Sequence, residues 1–269
     1  MSAIEDIKDT LKRGKTIDGY DYKAKKRYKE PAPESIDTEE FKKVVESRRS
    51  VRKFTSKPIP KEVLEDCLGM AMLAPSSCNL QPWEFHVVQT PNNKQKLVEA
   101  CMNQNAAKTA AELIVVVART QNWSKIAKLN ITDWPQPTVP KHWVSFYKNG
   151  VPLTYWQGPF DALGRVKKSI ANVAGLFRPI PRGPFSQADM KVWAVKSVAL
   201  AAENLMLAFR SHGYDTCPME GMDERRVRKL LKLPKDAEVV MVIGAGERAE
   251  DGVYFPRVQF DKNNFIHYA

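Results

Sequence analysis

RRSVR, residues Arg48 to Arg52, and SSCNLQPW, residues Ser76 to Trp83, are the two stretches on which the reading of this chain turns. If the first is extended, Arg48, Ser50 and Arg52 share one side at intervals of about 6.6 Å, so two guanidinium forks and a hydroxyl converge on one object. Arg49 adds a third guanidinium to the segment. A phosphate suits this set, because arginine donates bidentate, charge-assisted hydrogen bonds to phosphate oxygens and the hydroxyl adds another contact. A solvated basic face is the competing reading, since lysine and arginine supply 42 of the 269 residues.

The second stretch reads as a turn. Ser76, Ser77, Asn79 and Gln81 carry small or polar side chains that compete with regular backbone bonding, and Pro82 removes a donor. Asn79 and Gln81 each offer a carbonyl acceptor and an amide donor, which suits the alternating edge of a planar heterocycle. Trp83 also reads simply as core. Two more pieces lie far downstream: PMEGMD (Pro218 to Asp223), after a long apolar helix, and YFPR (Tyr254 to Arg257), after the last strong strand.

The elements between these pieces follow from spacing and punctuation. Asp37 with Glu40 starts a helix leading through Phe41, Val44 and Val45 to the arginines. After Pro60, Val63, Leu64, Leu68, Ala71 and Met72 recur at helical spacing until Pro75. Phe85 to Gln89 and Leu113 to Ala118 read as strands, the latter suited to a buried sheet. Asp189 to His212 is a long helix closed by Gly213, apolar enough around its circumference to predict burial on nearly every side. Asp223 to Leu233 reads as a short helix and Glu238 to Ile243 as another buried strand.

Four motifs in this order, with these elements between them, resemble the FMN-dependent nitroreductase family over Asp37 to about Ala118 and Asp189 to Ala269. The resemblance implies an α+β, nitroreductase-like fold, with a central mixed β-sheet flanked by helices and an interlocked homodimer carrying FMN at its interface. It implies that Arg48, Ser50 and Arg257 hold the FMN phosphate, with Arg49 in the same segment. Arg52 would lie near the pyrimidine edge of the flavin, where the family often has lysine. Asn79, flanked by Ser77 and Gln81, would meet that edge as well, and the backbone of Glu220 and Gly221 would approach the flavin ring. Many members carry lysine two positions before the late arginine; Phe255 stands there in this chain, leaving Arg257 with more of the phosphate charge. The implied activity is electron transfer from NADH or NADPH to a nitroaromatic or quinone-like acceptor by a ping-pong mechanism, with Arg52 as an electrostatic stabiliser and no catalytic nucleophile. A flavin-dependent dehydrogenase or dehalogenase on the same fold, and a flavin-binding protein without turnover attached to membrane surfaces, are the alternatives.

Composition agrees with a globular enzyme, 43% of residues being hydrophobic. The sequence lacks an apolar secretory region at its amino terminus and any run of about eighteen apolar residues, so a cytoplasmic location is expected. Cys67, Cys78, Cys101 and Cys217 are widely spaced, without CxxC or histidine partners, and His86, His142, His212 and His267 form no local cluster, so no metal is expected. Gly244-Ala245-Gly246 after the last strand invites a dinucleotide-binding reading. It lacks a third glycine and a following apolar helix, which disfavours a Rossmann domain.

Residues 1–36 are charged and irregular, with Tyr20, Tyr22 and Tyr28 interspersed, and read as an arm preceding one domain over 37–269. Within that domain, 119–188 reads as a basic, aromatic-rich insertion. It holds four of the six tryptophans, eight of the 18 prolines, and ten basic residues against Asp133 and Asp161. So long a segment must carry structure of its own. Arg165 to Phe177 suits an amphipathic helix with Val166, Ile170, Val173 and Phe177 on one face and Lys167 and Lys168 near its start. A lid over the cofactor, a peripheral contact with anionic membranes, and a plain covering of the core remain open for this segment. No nucleic-acid-binding motif accompanies its charge, and no nucleic acid is expected as partner.

Overall fold

The computed structural model describes residues 30–269. Along the chain these form α1 (Thr38–Ser47), α2 (Lys61–Ala71), β1 (Trp83–Val87), α3 (Pro91–Ala100), α4 (Asn105–Thr109), β2 (Glu112–Arg119), α5 (Trp123–Thr132), α6 (Lys141–Ser145), α7 (Val151–Tyr155), α8 (Ala162–Ala174), α9 (Gln187–Ser211), β3 (Asp215–Met219), α10 (Glu224–Leu231) and β4 (Ala237–Gly246). The arm expected over residues 1–36 lies, as far as residue 29, outside the described residues.

β2 organises the packing. Its run Leu113 to Ala118 is fully or almost fully buried, so both sides of the strand need cover. Because successive side chains point to opposite faces, Ile114, Val116 and Ala118 enter one core with α2 and α9, while Leu113, Val115 and Val117 enter another with α3, α4 and α10. Burying such a valine, leucine or isoleucine contributes about 1.5–3 kcal/mol each, which makes this strand the shared wall of two cores. The strand order is β1-β2-β4-β3, and every neighbouring pair is antiparallel. The mixed sheet that was expected is, among the described residues, an antiparallel ladder, with a parallel bridge from Ser50 to Thr216 beside β3. β4 carries a register shift opposite Val116 and Val117. There Val240 and Met241, adjacent in sequence, both pack toward the α9 side.

The long helix matches its expected span closely. Ser186 Oγ accepts from the Asp189 amide at 3.1 Å, and Gly213 adopts φ +85° just past the end, a conformation that a residue with a Cβ resists. The expectation of burial on nearly all sides needs correction. Val192 and Leu200 are each more than half exposed, and Ala199 between them is exposed as well. The sheet and α2 cover the rest of the circumference and leave this stripe uncovered. Asp37 caps α1 by accepting from the amides of Glu39 and Glu40, and Asp223 caps α10 through the Arg226 amide. Gly244 and Gly246 lie inside β4 rather than in a phosphate loop. A Cβ on Gly246 would come within 3.0 Å of Phe54, so close packing accounts for that glycine.

Candidate functional site

RRSVR leaves α1 and runs as extended chain along the edge strand β3. The Val51 amide donates to the Thr216 carbonyl at 3.0 Å, and the Arg52 amide to the Gly252 carbonyl at 2.7 Å. Val51 is completely buried while Ser50 and Arg52 are exposed, which is the alternation that extended backbone imposes. Arg48, Arg49, Ser50 and Arg52 line an open cleft of about 530 Å³ whose other wall is Val253 to Gln259, including Arg257. Arg49 Nη2 donates to the Phe255 carbonyl at 2.6 Å, and Arg257 Nη2 donates to the Arg48 carbonyl. Each guanidinium spends one donor on lacing the two walls together and keeps others for a ligand. Four arginines and a serine hydroxyl therefore face one cleft, and no carboxylate is among the residues lining it. Glu203 of α9 stands 3.8 Å from Arg48 Nε.

Glu220 and Gly221 follow β3 at the same sheet edge, four residues beyond Thr216 and so about 13 Å along the strand. Two residues that the sequence reading passed over join them to the arginine cleft. Gln104 Nε2 donates to the Gly221 carbonyl at 2.8 Å, and Asn105 Nδ2 donates to the hydroxyl of Tyr254, a cleft residue, at 2.9 Å. Their only sequence signal was a pair of adjacent amides at a helix start. Arg52 also stands close to Cys217 on β3. Burial pushes the Cys217 thiol up from its ordinary value, and the Arg52 charge partly opposes that shift.

Ser77, Asn79 and Gln81 lie elsewhere. They precede β1 at the opposite edge of the sheet, and Trp83 pairs with Ala118 whereas Thr216 lies level with Glu112 through Ala245. Three strand spacings across and about six residues along put Trp83 and Thr216 on the order of 25 Å apart. Within one chain the expected site is therefore divided between two corners. Trp83 itself is core.

The turn is held in a backbone shape that L-residues rarely adopt. Cys78, Asn79 and Gln81 have φ of 55°, 48° and 37°. Such conformations cost on the order of 1 kcal/mol or more each unless the surroundings hold them. Residues of 119–188 do so. Tyr147 Oη donates to the Cys78 carbonyl at 2.9 Å, and the Tyr155 and Ser77 hydroxyls are 2.8 Å apart. Asn130 Nδ2 donates to the Asn79 carbonyl at 3.0 Å, while Asn79 Nδ2 donates to Asn130 Oδ1 at 2.8 Å. Gln81 Nε2 occupies Asn79 Oδ1 at 3.0 Å. Burial, the largest cause for both, pushes the Tyr147 and Tyr155 phenols up, so they stay neutral. Tyr147 sits on a π-helical turn, Phe146–Gly150, and its ring meets Trp143 at 4.9 Å. Much of the aromatic content of 119–188 thus braces this turn. Sequence reasoning missed Asn130, Tyr147 and Tyr155, whose sole signal was polar or amphipathic side chains amid apolar neighbours.

Comparison with known proteins adds to this geometry. Residues 45–247 match the sequence model of the Nitroreductase family. The Bacillus subtilis protein named "Putative NAD(P)H nitroreductase YdgI" is 30% identical over 229 residues, 84% of this chain and 97% of that protein. The crystal structure of Bacillus subtilis YdfN matches with a TM-score of 0.68 at 26% identity, over 87% of this chain and 100% of the other. A protein from Exiguobacterium sibiricum solved in complex with FMN matches with a TM-score of 0.63 at 24% identity, over 89% of this chain and 100% of the other. The α+β fold implied by the resemblance is borne out.

Proposed function

The chain belongs to the nitroreductase family, and from that premise we propose that it is an FMN-dependent oxidoreductase that passes electrons from NADH or NADPH to an electron-poor acceptor such as a nitroaromatic or a quinone. The observation that carries this reading is the cleft lined by Arg48, Arg49, Ser50, Arg52 and Arg257 without a carboxylate. That donor set fits a phosphate monoester, because guanidinium forks and a hydroxyl match its oxygens and its charge. The cleft's volume also falls within the roughly 300–1,000 Å³ usual for small-molecule sites. Arg48, Ser50 and Arg257 hold the phosphate in this reading, with Arg49 supporting the wall. Arg52, placed beside Cys217 between that clamp and Glu220, would favour negative charge on the ligand's ring system. The Gly221 region, braced by Gln104, bounds the far end. When bound, FMN supplies hydride uptake from the nicotinamide donor and, in a separate half-reaction, electron release to the acceptor, a ping-pong order. The protein's own share is binding, orientation and charge.

The reading includes a homodimer. Val192 and Leu200 on α9, Phe41 and Val45 on α1, and Met72 and Leu73 after α2 are exposed apolar side chains on neighbouring elements. A second copy over that surface would bury them. Glu203, which reaches Arg48, lies on the same exposed stripe of α9, so the arginine cleft borders the surface. A partner seated there could bring its own Ser77–Gln81 turn to the cleft, which would reunite the halves that one chain keeps apart.

The test is anaerobic reduction of the purified protein by NADH and by NADPH, followed by mixing with nitroaromatic and quinone acceptors. The expected result is bound FMN that bleaches with either donor and recovers its colour with the acceptor. Protein that binds FMN yet is reduced by neither donor would support flavin binding without turnover. Protein that binds no FMN would remove the whole assignment.

A further inference from the structure

α8 turns its apolar side away from the molecule. Val166, Ile170 and Val173 recur along one face, and Leu176 and Phe177 continue it past the helix end. Phe160 stands at the other end. These six side chains are between 55% and 93% exposed, on a helix about 20 Å long. Rotation cannot hide them. The inward side of α8 is Gly164 and Ala171, and a Cβ on Gly164 would fall 1.8 Å from the Phe185 carbonyl oxygen. Lys167 pins a third side by donating from Nζ to the carbonyls of Leu153, Thr154 and Trp156 at 3.0, 3.1 and 2.9 Å. Small residues and one half-buried lysine thus fix the helix with its large apolar side chains outward.

The charge around the stripe is predominantly positive. Residues 134–186 hold seven basic side chains and a single acidic one, Asp161, which is engaged with the Gln187 amide at 2.9 Å. Arg165 and Arg178 flank the stripe, Lys168 projects from the opposite side of the helix, and no carboxylate of the described residues forms an ion pair with any of the three. Charge also disfavours two covers that the chain itself could supply. A second copy of α8 would bring the same cations, and residues 1–36 carry nine basic side chains against seven acidic ones.

We propose that α8 and its flanking Phe160 and Phe177 form a docking surface for an anionic lipid bilayer. The apolar stripe would enter the headgroup and acyl boundary, while Arg165 and Arg178 meet lipid phosphates. An exposed apolar ridge with a cationic border is what binding in the plane of a membrane requires, and neither part suffices alone. The surface lies in 119–188 and uses none of the cleft residues.

The experiment is sedimentation of the full-length protein with vesicles of phosphatidylglycerol and phosphatidylcholine, and with vesicles of phosphatidylcholine alone. Binding is expected to the mixed vesicles only, and it should weaken as salt rises. Arg165→Gln with Arg178→Gln should lower it on the order of tenfold or more, since each cation near an anionic surface contributes about fivefold. Ile170→Asp with Val173→Asp should abolish it. Both pairs are exposed, so circular dichroism and ligand content should match the parent protein. Equal binding to neutral vesicles, no binding to anionic ones, or unchanged binding by either variant would overturn the proposal. Binding to polyglutamate in place of vesicles would reassign the surface to an acidic polypeptide. Failure of a thiol reagent to label a Val173→Cys variant in lipid-free protein would show that the stripe is covered by the protein itself, which also overturns it.

Discussion

Removing Arg257 tests the proposed phosphate clamp separately from the rest of the site. Its guanidinium donates to the Arg48 carbonyl, and so ties Val253–Gln259 to the end of α1 while presenting its other donors to the cleft. In Arg257→Ala the cleft loses one of four arginines. The Arg48 carbonyl is left at an open cleft, where water replaces the lost donor, so the fold should lose little stability. A hydrogen bond to a charged group contributes about 1.5–3 kcal/mol, which corresponds to roughly ten- to a hundredfold in FMN affinity. Riboflavin has the same ring system without the phosphate, and it separates the two roles of the arginine. Quenching of flavin fluorescence on titration into apoprotein should show FMN binding weakened by that factor and riboflavin binding nearly unchanged. Arg257→Lys keeps the charge but loses the fork, and should fall between the two. Equal losses for FMN and riboflavin would mean that Arg257 shapes the wall without touching the phosphate; no loss for either would falsify the clamp.

A mixed dimer tests whether the site is shared. If Arg257→Ala and Asn79→Ala chains pair, the shared-site arrangement leaves one of two sites wholly intact and restores about half the normal FMN content; a site confined to one chain leaves both damaged. Tyr147→Phe removes the donor to the Cys78 carbonyl from a residue only 3% exposed, so unfolding by urea should show a loss of about 1–3 kcal/mol, and unchanged stability would free the turn from that brace. Burial raises the Cys67 thiol from 9.0 to about 12 and the Cys101 thiol to about 11. Above pH 9 the unfolded chain therefore releases protons that the folded chain retains, so stability should fall as pH climbs from about 9 through 11–12, and replacing both by alanine should flatten that slope even if it lowers the plateau.

The local features were legible because they depend on neighbours in sequence. Asp37 and Asp223 cap their helices, Gly213 ends α9, and the alternation around Val51 points Ser50 and Arg52 outward; each follows from backbone geometry within a few residues. β2 was readable from its valines, although its antiparallel partners were not, since a run buried on both faces looks the same in either kind of sheet. The outward stripe of α8 was half legible. Spacing placed Val166, Ile170 and Val173 on one face, but the side that packs is decided by Gly164 meeting the Phe185 carbonyl, a contact between segments.

Site assembly lay beyond the sequence for a different reason. Arg48–Arg52 and Ser76–Trp83 are near in the chain, yet α2 carries the backbone from one edge of the sheet to the other before β1 begins. Closeness in sequence says nothing about which edge a segment will join. The bracing of the turn is likewise long-range. Cys78, Asn79 and Gln81 adopt positive φ without being glycine, and what holds them comes from Asn130, Tyr147 and Tyr155, some fifty to eighty residues later. This gives 119–188 a structural duty that neither its charge nor its tryptophans announced. If a partner's turn does complete the arginine cleft, the same segment fixes the geometry of a site whose phosphate clamp it never touches, so changes at Asn130 or Tyr147 should alter how the ligand's ring is held while leaving phosphate recognition intact. Flavin titrations of Asn130→Ala should then weaken riboflavin and FMN by the same factor, the opposite pattern to Arg257→Ala. A selective loss of FMN in that variant would place Asn130 on the phosphate side and break the division of labour argued here.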